Sequence, residues 1–162
     1  MRRLIVRFEE DLSMLFTIVS LLIAPMAAQP APSKSVCDVG RAILADMRPW
    51  AGDETYLETD PERSGLMKLC PDLRTVLPSG YRMVNDDARR RADIHAPLPG
   101  PRPIAAYIYA IGSPIIATDG RSATVEVLCT CTGLCGSATR SRYIRTPQGW
   151  RRDGKPRMLW VS

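Results

Sequence analysis

The chain has 162 residues, of which 45% are hydrophobic and 24% are charged. This composition excludes wholesale disorder, a collagen-like repeat and a membrane protein with many spans. The 22 Lys and Arg residues exceed the 17 Asp and Glu residues, which leaves a net charge of +5. The length fits one domain of middling size, and no sequence motif identifies a molecular activity.

An apolar run near the start of the chain is typical of a signal peptide. It covers fifteen residues, 14–28, whereas a helix that crosses a bilayer needs roughly twenty. The small residues Ala27 and Ala28 precede a Pro-rich stretch, so cleavage is predicted near Ala28. A buried apolar helix and an uncleaved anchor are the alternatives, and translation could start at Met1 or at Met14.

We therefore expect export to the periplasm or beyond, with no stable membrane span after leader removal. The predicted organisation is a signal peptide over 1–28, a linker over 29–34 and a single α+β domain over 35–162.

Two helices are predicted in the first half of the domain. Apolar residues recur every three to four positions from Ser35 to Trp50, which is the spacing of one helical face. A second, shorter helix begins at Asp60-Pro61-Glu62 and runs to Leu69, with Pro71 ending it. Residues 72–103 are predicted to be irregular apart from a short strand near 81–84.

Strands are predicted in the second half, because apolar residues there alternate or form short β-branched runs. The main strands are expected over 104–111, 122–131 and 137–146, with a last one near the end of the chain. Helices followed by strands predict an α+β fold, with N-terminal helices and an antiparallel sheet of about four to five strands. Because most Trp and Tyr residues lie in this half, we expect the main core there.

A hairpin is predicted around three clustered cysteines. If residues 132–134 form a three-residue loop, Cys131 lies opposite Cys135 and residues whose numbers add up to 266 face each other. The same register pairs Glu126 with Arg140, which carry opposite charges.

This register indicates how the five cysteines pair. Directly opposed side chains are within disulfide reach, which favours Cys131 with Cys135. By elimination, Cys37 is paired with Cys70, and Cys129 is left free and buried.

The alternative interpretation is a metal-binding or thiol-redox protein that uses Cys129, Cys131 and Cys135, with His95 as a fourth ligand. Tetrahedral zinc or a thiophilic copper ion accepts such ligands. However, the spacing is not that of a CxxC pair and the chain has a single histidine. Structural disulfides are therefore favoured, and no cofactor is expected.

Enzymatic chemistry has weaker support, and a non-catalytic protein is favoured. The chain lacks the GxSxG, GxGxxG, P-loop and HExxH motifs. Cys129 with His95 is a conceivable thiol hydrolase pair. Five carboxylates could supply acid–base hydrolysis, but acids near a helix start are already favoured by electrostatics. They are Asp53, Glu54, Glu58, Asp60 and Glu62.

Residues 138–162 contain seven basic residues and one acidic residue, with aromatic residues between them. Export argues against a nucleic-acid ligand, and a solvated sheet surface explains most of this charge. If the basic residues bind a partner, an acidic envelope ligand or protein fits them.

Several turns in the last fifty or so residues resemble a known pattern. The segments are Asp119-Gly120, Cys131-Thr-Gly-Leu-Cys135-Gly136, Gly149-Trp150 and Trp160-Val-Ser162. They are similar to small uncharacterised exported bacterial proteins with a CGxLCG-like hairpin and a C-terminal Trp-x-Ser, although Thr132 replaces a glycine. The resemblance implies export and no particular activity. The order of elements also resembles, more distantly, the nuclear-transport-factor-2-like superfamily, which implies a curved sheet covered by helices.

The leading hypothesis is therefore a small exported envelope protein with a binding or structural role and no catalysis. A third hypothesis, after the metal or redox protein, is an enzyme with a pocket between the N-terminal helices and the sheet.

Overall fold

A computed structural model describes residues 34–93, 105–133 and 135–162. The predicted signal peptide, the linker up to residue 33, His95 and the prolines of residues 97–103 lie outside the described residues.

The described residues form three α-helices, one 3₁₀ turn and eight strands. In chain order they are α1 (Lys34–Asp46), β1 (Glu54–Leu57), α2 (Gly65–Leu69), the 3₁₀ turn (Pro71–Thr75), β2 (Arg82–Met83), α3 (Asp86–Ala92), β3 (Ala106–Ile111), β4 (Ile115–Ile116), β5 (Ser122–Cys131), β6 (Cys135–Thr146), β7 (Gly149–Arg152) and β8 (Arg157–Val161).

All eight strands belong to one curled, mixed sheet. Its main order is β2-β1-β3-β5-β6-β7, with β4 paired to β5 and β8 paired to β6. The α+β class is confirmed, but the purely antiparallel sheet of four to five strands is wrong. β1 runs parallel to both β2 and β3, because the chain passes through helices before each of these strands returns beside β1.

The two faces of this sheet differ in what covers them. The inner face carries Ala123, Val125, Cys129 and Cys131 of β5, and Ala123 and Val125 pack in one cluster with side chains of α1 and α2. The outer face carries α3, whose buried Ala88 and Ala92 form a second cluster with side chains of β1 and β3. These small alanines allow α3 to lie close to the sheet.

The helices deviate from the predicted ones for local reasons. α1 ends at Asp46 rather than near Trp50, and the chain around Asp60 forms a turn before α2 begins at Gly65. Buried Ser64 caps α2: its hydroxyl accepts a hydrogen bond from Met67 N (3.4 Å) and donates one to the Ile111 carbonyl (2.9 Å). Ser64 therefore ties the start of α2 to the end of β3.

The expectation of a main core in the C-terminal half is wrong. The larger buried cluster draws on α1, α2 and β1 as well as on the later strands. Trp50 and Trp160 are 59% and 49% exposed, so these two tryptophans lie outside the core. Leu and Met side chains of the early helices fill the space instead, including Leu44, Leu66 and Met67.

The register of the cysteine hairpin is confirmed. β5 and β6 pair antiparallel with Cys131 opposite Cys135, Cys129 opposite Ser137 and Glu126 opposite Arg140. Gly133 in the loop has a φ of +94°, which glycine adopts without strain. Among the described residues, no helix is both long and apolar enough to cross a membrane.

Candidate functional site: a cavity on the inner face of the sheet

A cavity of about 300 Å³ lies between the C-terminal end of α1 and the inner face of the sheet. The lining is contributed by α1 and its following loop, the residue before β2, and strands β3, β5, β6 and β7, with Pro156. It comprises Ile43, Asp46, Met47, Arg48, Tyr81, Tyr109, Val125, Val127, Thr139, Ser141, Tyr143, Arg152 and Pro156.

Three tyrosines give the cavity most of its aromatic surface. Tyr81 and Tyr109 contact each other edge to face, with ring centroids 5.8 Å apart. The Tyr81 hydroxyl donates a hydrogen bond to the Arg48 carbonyl (3.0 Å), which anchors the loop after α1. Tyr143 is almost completely buried on the same face.

All three tyrosine hydroxyls are neutral at physiological pH. Burial raises the pKa of Tyr81 to about 12. Burial also raises the pKa of Tyr109 and that of Tyr143, and the nearby Asp46 carboxylate raises that of Tyr143 further. Because each group stays protonated, it can donate and accept hydrogen bonds but contributes no charge.

Charged groups lie at the rim of the cavity rather than on its floor. Arg152 Nε and an Asp46 carboxylate oxygen are 3.9 Å apart, and both side chains are partly exposed. Arg48 donates to the carbonyls of Ala45 (2.7 Å) and Met47 (2.8 Å), so its guanidinium satisfies acceptors at the end of α1. The floor between these groups is apolar, with Val125 and Val127, and carries the hydroxyls of Thr139 and Ser141.

The five cysteines occupy the inner side of the domain. Disulfides join Cys37 to Cys70 and Cys131 to Cys135, and each pair has a Cα–Cα distance of 5.6 Å. The sequence predicts the same two pairs. The first bond ties α1 to the end of α2, and the second closes the hairpin between β5 and β6.

Cys129 is a free, buried thiol on the inner face, opposite Tyr109 in the β3–β5 register. Burial raises its pKa to about 11, so very little thiolate exists near neutral pH. Because Cys131 and Cys135 form a disulfide, two of the three ligands of the alternative metal site are not available as thiolates. Among the described residues, no group of three or more His, Cys, Asp or Glu side chains is placed to hold a metal ion.

None of the five carboxylates lies in the first turn of a helix, so the electrostatic explanation of their position is wrong. Glu54 is the first residue of β1 and Glu58 is the residue after this strand. Both form ion pairs with arginines of α3. The hydrogen bond from Arg91 lowers the pKa of Glu54. Asp53 accepts a hydrogen bond from Ala105 N, and Asp60 accepts one from Glu62 N in the turn. These groups stabilise local structure and lie away from the cavity lining.

The basic residues of the last strands divide between the two faces. Arg140 and Arg142 lie on the outer face, where Glu126 and Asp153 pair with them. Arg152 is opposite Tyr143 and lines the cavity on the inner face. The outer pair matches the expectation of a solvated sheet surface.

Comparisons with protein-family models, with curated proteins and with solved structures find no significant match to this chain. The cavity lies between an N-terminal helix and the sheet, where the third hypothesis expects a pocket, but the sequence does not predict its lining residues because they come from six separate parts of the chain. The tyrosines at strand positions, such as Tyr109 and Tyr143, are the one signal in the sequence, and on their own they predict core packing.

Proposed function

We propose that this chain is a small exported envelope protein without catalytic activity, and that the inner-face cavity binds a small ligand. Support for an oxidising location comes from the two disulfides, which persist outside the cytosol and are rare within it. Support for export also comes from the apolar run over 14–28 and from the resemblance to small exported bacterial proteins. Support for binding rests on one observation, the cavity between α1 and the sheet.

The lining indicates what kind of molecule would fit. A volume of about 300 Å³ is at the small end of the range for ligand pockets. The tyrosine rings, Val125 and Val127 favour an apolar or aromatic body. The neutral hydroxyls of Thr139, Ser141 and Tyr109 favour hydroxyl or carbonyl groups over a full charge. The ligand class is therefore a small, uncharged and mostly apolar molecule with one or two hydrogen-bonding groups.

Binding is tested with a variant whose new side chain fills the cavity. The control is a variant with the same new side chain on the opposite face of the sheet. Thr139→Phe places a ring in the cavity, whereas Thr130→Phe places the same ring on the outer face of β5, in a separate cleft beside α3. Indole and 4-methylphenol serve as probes, with binding measured by ligand-observed NMR. We expect Thr130→Phe to bind like the native protein and Thr139→Phe to lose at least tenfold in affinity.

Two results would count against the cavity as a binding site. One is the absence of any saturable binding by either probe to the native protein. The other is equal binding by the two phenylalanine variants, since the probes would then occupy another surface.

The test of export is the intact mass of the protein produced in its native host, without reduction. We expect a chain that lacks residues 1–28 and is lighter by four hydrogen atoms than its reduced form, because two disulfides are present. A full-length chain that retains Met1 and five thiols in a reducing cell fraction would overturn this part of the proposal.

A further inference from the structure

An open edge of the sheet runs beside β6, and we name residues 149–161 the basic edge. β7 pairs with residues 143–146 of β6, and β8 pairs with residues 137–140 of the same strand. The two strands therefore lie end to end along β6, with residues 153–156 between them. Nearly every residue of the basic edge is exposed. Among the described residues no strand pairs with its far side, so its outward backbone groups can accept another strand.

Large apolar side chains of β8 are exposed on both faces of the sheet. Trp160 lies opposite Ala138 on the outer face, and Val161 lies opposite Ser137 on the inner face. The exposed fractions are 49% for Trp160 and 73% for Val161. A membrane surface is flat and would contact one of these faces only. An added polypeptide strand lies between the faces and can place side chains against both.

The charge of the basic edge determines which polypeptide fits. The edge carries Arg151, Arg152, Lys155 and Arg157 against a single acid, Asp153, which already pairs with Arg142. In addition, Arg157 lies opposite Arg140 on β6, whose charge is already paired with Glu126, so no carboxylate among the described residues pairs with Arg157. A second copy of this chain would bring an equally basic edge to the interface. An acidic partner would supply carboxylates instead.

We propose that the basic edge binds an extended, acidic segment of another protein by β-strand addition. The main chain of that segment would pair with the outward groups of β8. Its apolar side chains would contact Trp160 and Val161, and its carboxylates would contact Arg157 and Lys155. Arg152 and Pro156 of the basic edge also line the inner-face cavity, but β8, which would pair with the added strand, contributes no residue to that lining. Strand addition at β8 therefore does not depend on ligand binding in the cavity.

One backbone position allows the pairing itself to be tested. Ser162 N donates to the Gly136 carbonyl (2.9 Å), so Ser162 faces β6. Neighbouring residues of a strand direct their N–H groups to opposite sides, and Val161 N–H therefore points away from β6. Val161→Pro removes this outward donor without removing a hydrogen bond to β6, and proline is tolerated on an edge. Val161→Thr is the matched control, because threonine keeps the donor and favours strands.

The probe is a fluorescently labelled peptide in which valine and glutamate alternate. Its length of about nine residues is within the usual range for a strand. N-methylation along one side of the peptide prevents it from stacking on itself. A second peptide with lysine in place of glutamate controls for charge. Binding to the full disulfide-bonded protein is measured by fluorescence anisotropy at two salt concentrations.

We expect the glutamate peptide to bind and the lysine peptide not to bind. Val161→Pro should weaken binding about three- to tenfold, the effect of one lost hydrogen bond, whereas Val161→Thr should not. Replacing Lys155 and Arg157 with glutamine should weaken binding at least tenfold and reduce its salt dependence. The circular dichroism spectrum of each variant verifies that it is folded.

Four results would overturn the proposal. The first is that the glutamate peptide does not bind. The second is that its binding survives Val161→Pro unchanged, which would indicate charge attraction without strand pairing. The third is binding to phosphatidylglycerol vesicles but not to the peptide, which would indicate a membrane surface. The fourth is a dimer in sedimentation experiments that Val161→Pro dissociates, which would assign the edge to a second copy. None of these results changes the comparison of Thr139→Phe with Thr130→Phe, so the two proposals can fail separately.

Discussion

Arg89 of α3 holds the buried carboxylate of Glu58, with Nη2 lying 2.9 Å from Oε1 and 3.1 Å from Oε2. The side chain of Glu58 is 4% exposed and that of Arg89 is 26% exposed, so the pair is largely removed from water. Glu58 also accepts a hydrogen bond from Asp60 N (3.0 Å). The ion pair thus joins α3 to the end of β1, and through β1 to the centre of the sheet.

Removing the arginine should destabilise the fold strongly. In Arg89→Met the Glu58 carboxylate keeps its hydrogen bond from Asp60 N but loses its counter-charge. We expect the free energy of unfolding to fall by about 2–3 kcal/mol. This loss is smaller than for a fully buried ion pair because Arg89 is partly exposed. Arg90→Met is the control, since the Arg90–Asp87 pair is exposed and should contribute under about 0.5 kcal/mol. Urea unfolding measures both. Adding Glu58→Gln to Arg89→Met should restore part of the loss, and no restoration would contradict an effect of unpaired charge.

The two disulfides should differ in how much they stabilise the protein. The Cys37–Cys70 bond spans a sequence separation of 33, and the Cys131–Cys135 bond spans a separation of 4. Because the entropy removed from the unfolded chain grows with loop length, we expect losses of about 4 kcal/mol and about 2 kcal/mol when each pair is replaced by serine. Urea unfolding of the two double variants tests this order. If replacing Cys131 and Cys135 lowers the free energy of unfolding more than replacing Cys37 and Cys70, loop length does not determine the order of the two effects.

The Cys129 thiol should be unreactive in the native protein near neutral pH. With a pKa raised to about 11, its thiolate fraction at pH 8 is small, and alkylation by iodoacetamide should be slow. The rate should increase about tenfold per pH unit up to that pKa. In urea without reductant, one thiol per chain should react, because the other four cysteines are bonded. Fast native labelling at pH 8 would contradict the burial of Cys129.

The same thiol should make stability depend on alkaline pH. Its pKa is 9.0 without burial and about 11 in the folded protein, so the folded state binds the proton more tightly. This contribution is fully present below pH 9 and is lost as pH rises through about 11, by an amount on the order of 2 kcal/mol. The free energy of unfolding of Cys129→Ala should not show this part of the decline. Urea unfolding of the native protein and of the variant, each at pH 8 and at pH 11, gives the two declines, and their difference is the contribution of Cys129. Parallel declines would mean that other groups, such as Tyr81, cause the whole effect.

The hairpin could be predicted from the sequence because it is local. Alternating residues on β5, a glycine in the loop and the position of Cys135 are sufficient to define the register that pairs Glu126 with Arg140. β1 was missed because its four residues are stabilised by β3, about fifty positions further along the chain. α3 was missed because its sequence is mostly charged, and it is held in place by Ala88 and by the Arg89–Glu58 pair. The cavity depends on contacts of this non-local kind, so no single segment of the sequence predicts it.

Gly65 should be the glycine least tolerant of a side chain. A Cβ at this position would clash with the Ser113 hydroxyl and lie 2.6 Å from the Ser113 backbone nitrogen, which cannot move without displacing the chain after β3. We expect Gly65→Ala to lower unfolding free energy by about 2–3 kcal/mol, the cost of overpacking a rigid site. At Gly40 the nearest atoms are instead the terminal methyl carbons of Leu66 and Leu73, at 2.6 and 2.7 Å. These side chains can rotate, and alanine favours the helix, so Gly40→Ala should cost less.

A second substitution separates the two atoms that Gly65→Ala would meet. Ser113→Ala removes the hydroxyl but leaves the backbone nitrogen in place, so the double variant should recover only a minor part of the loss. Thermal and urea unfolding of the single and double variants provide the comparison. Full recovery in the double variant would show that the hydroxyl alone limits the space at Gly65, and that the close approach of α2 to the chain after β3 is not the cause.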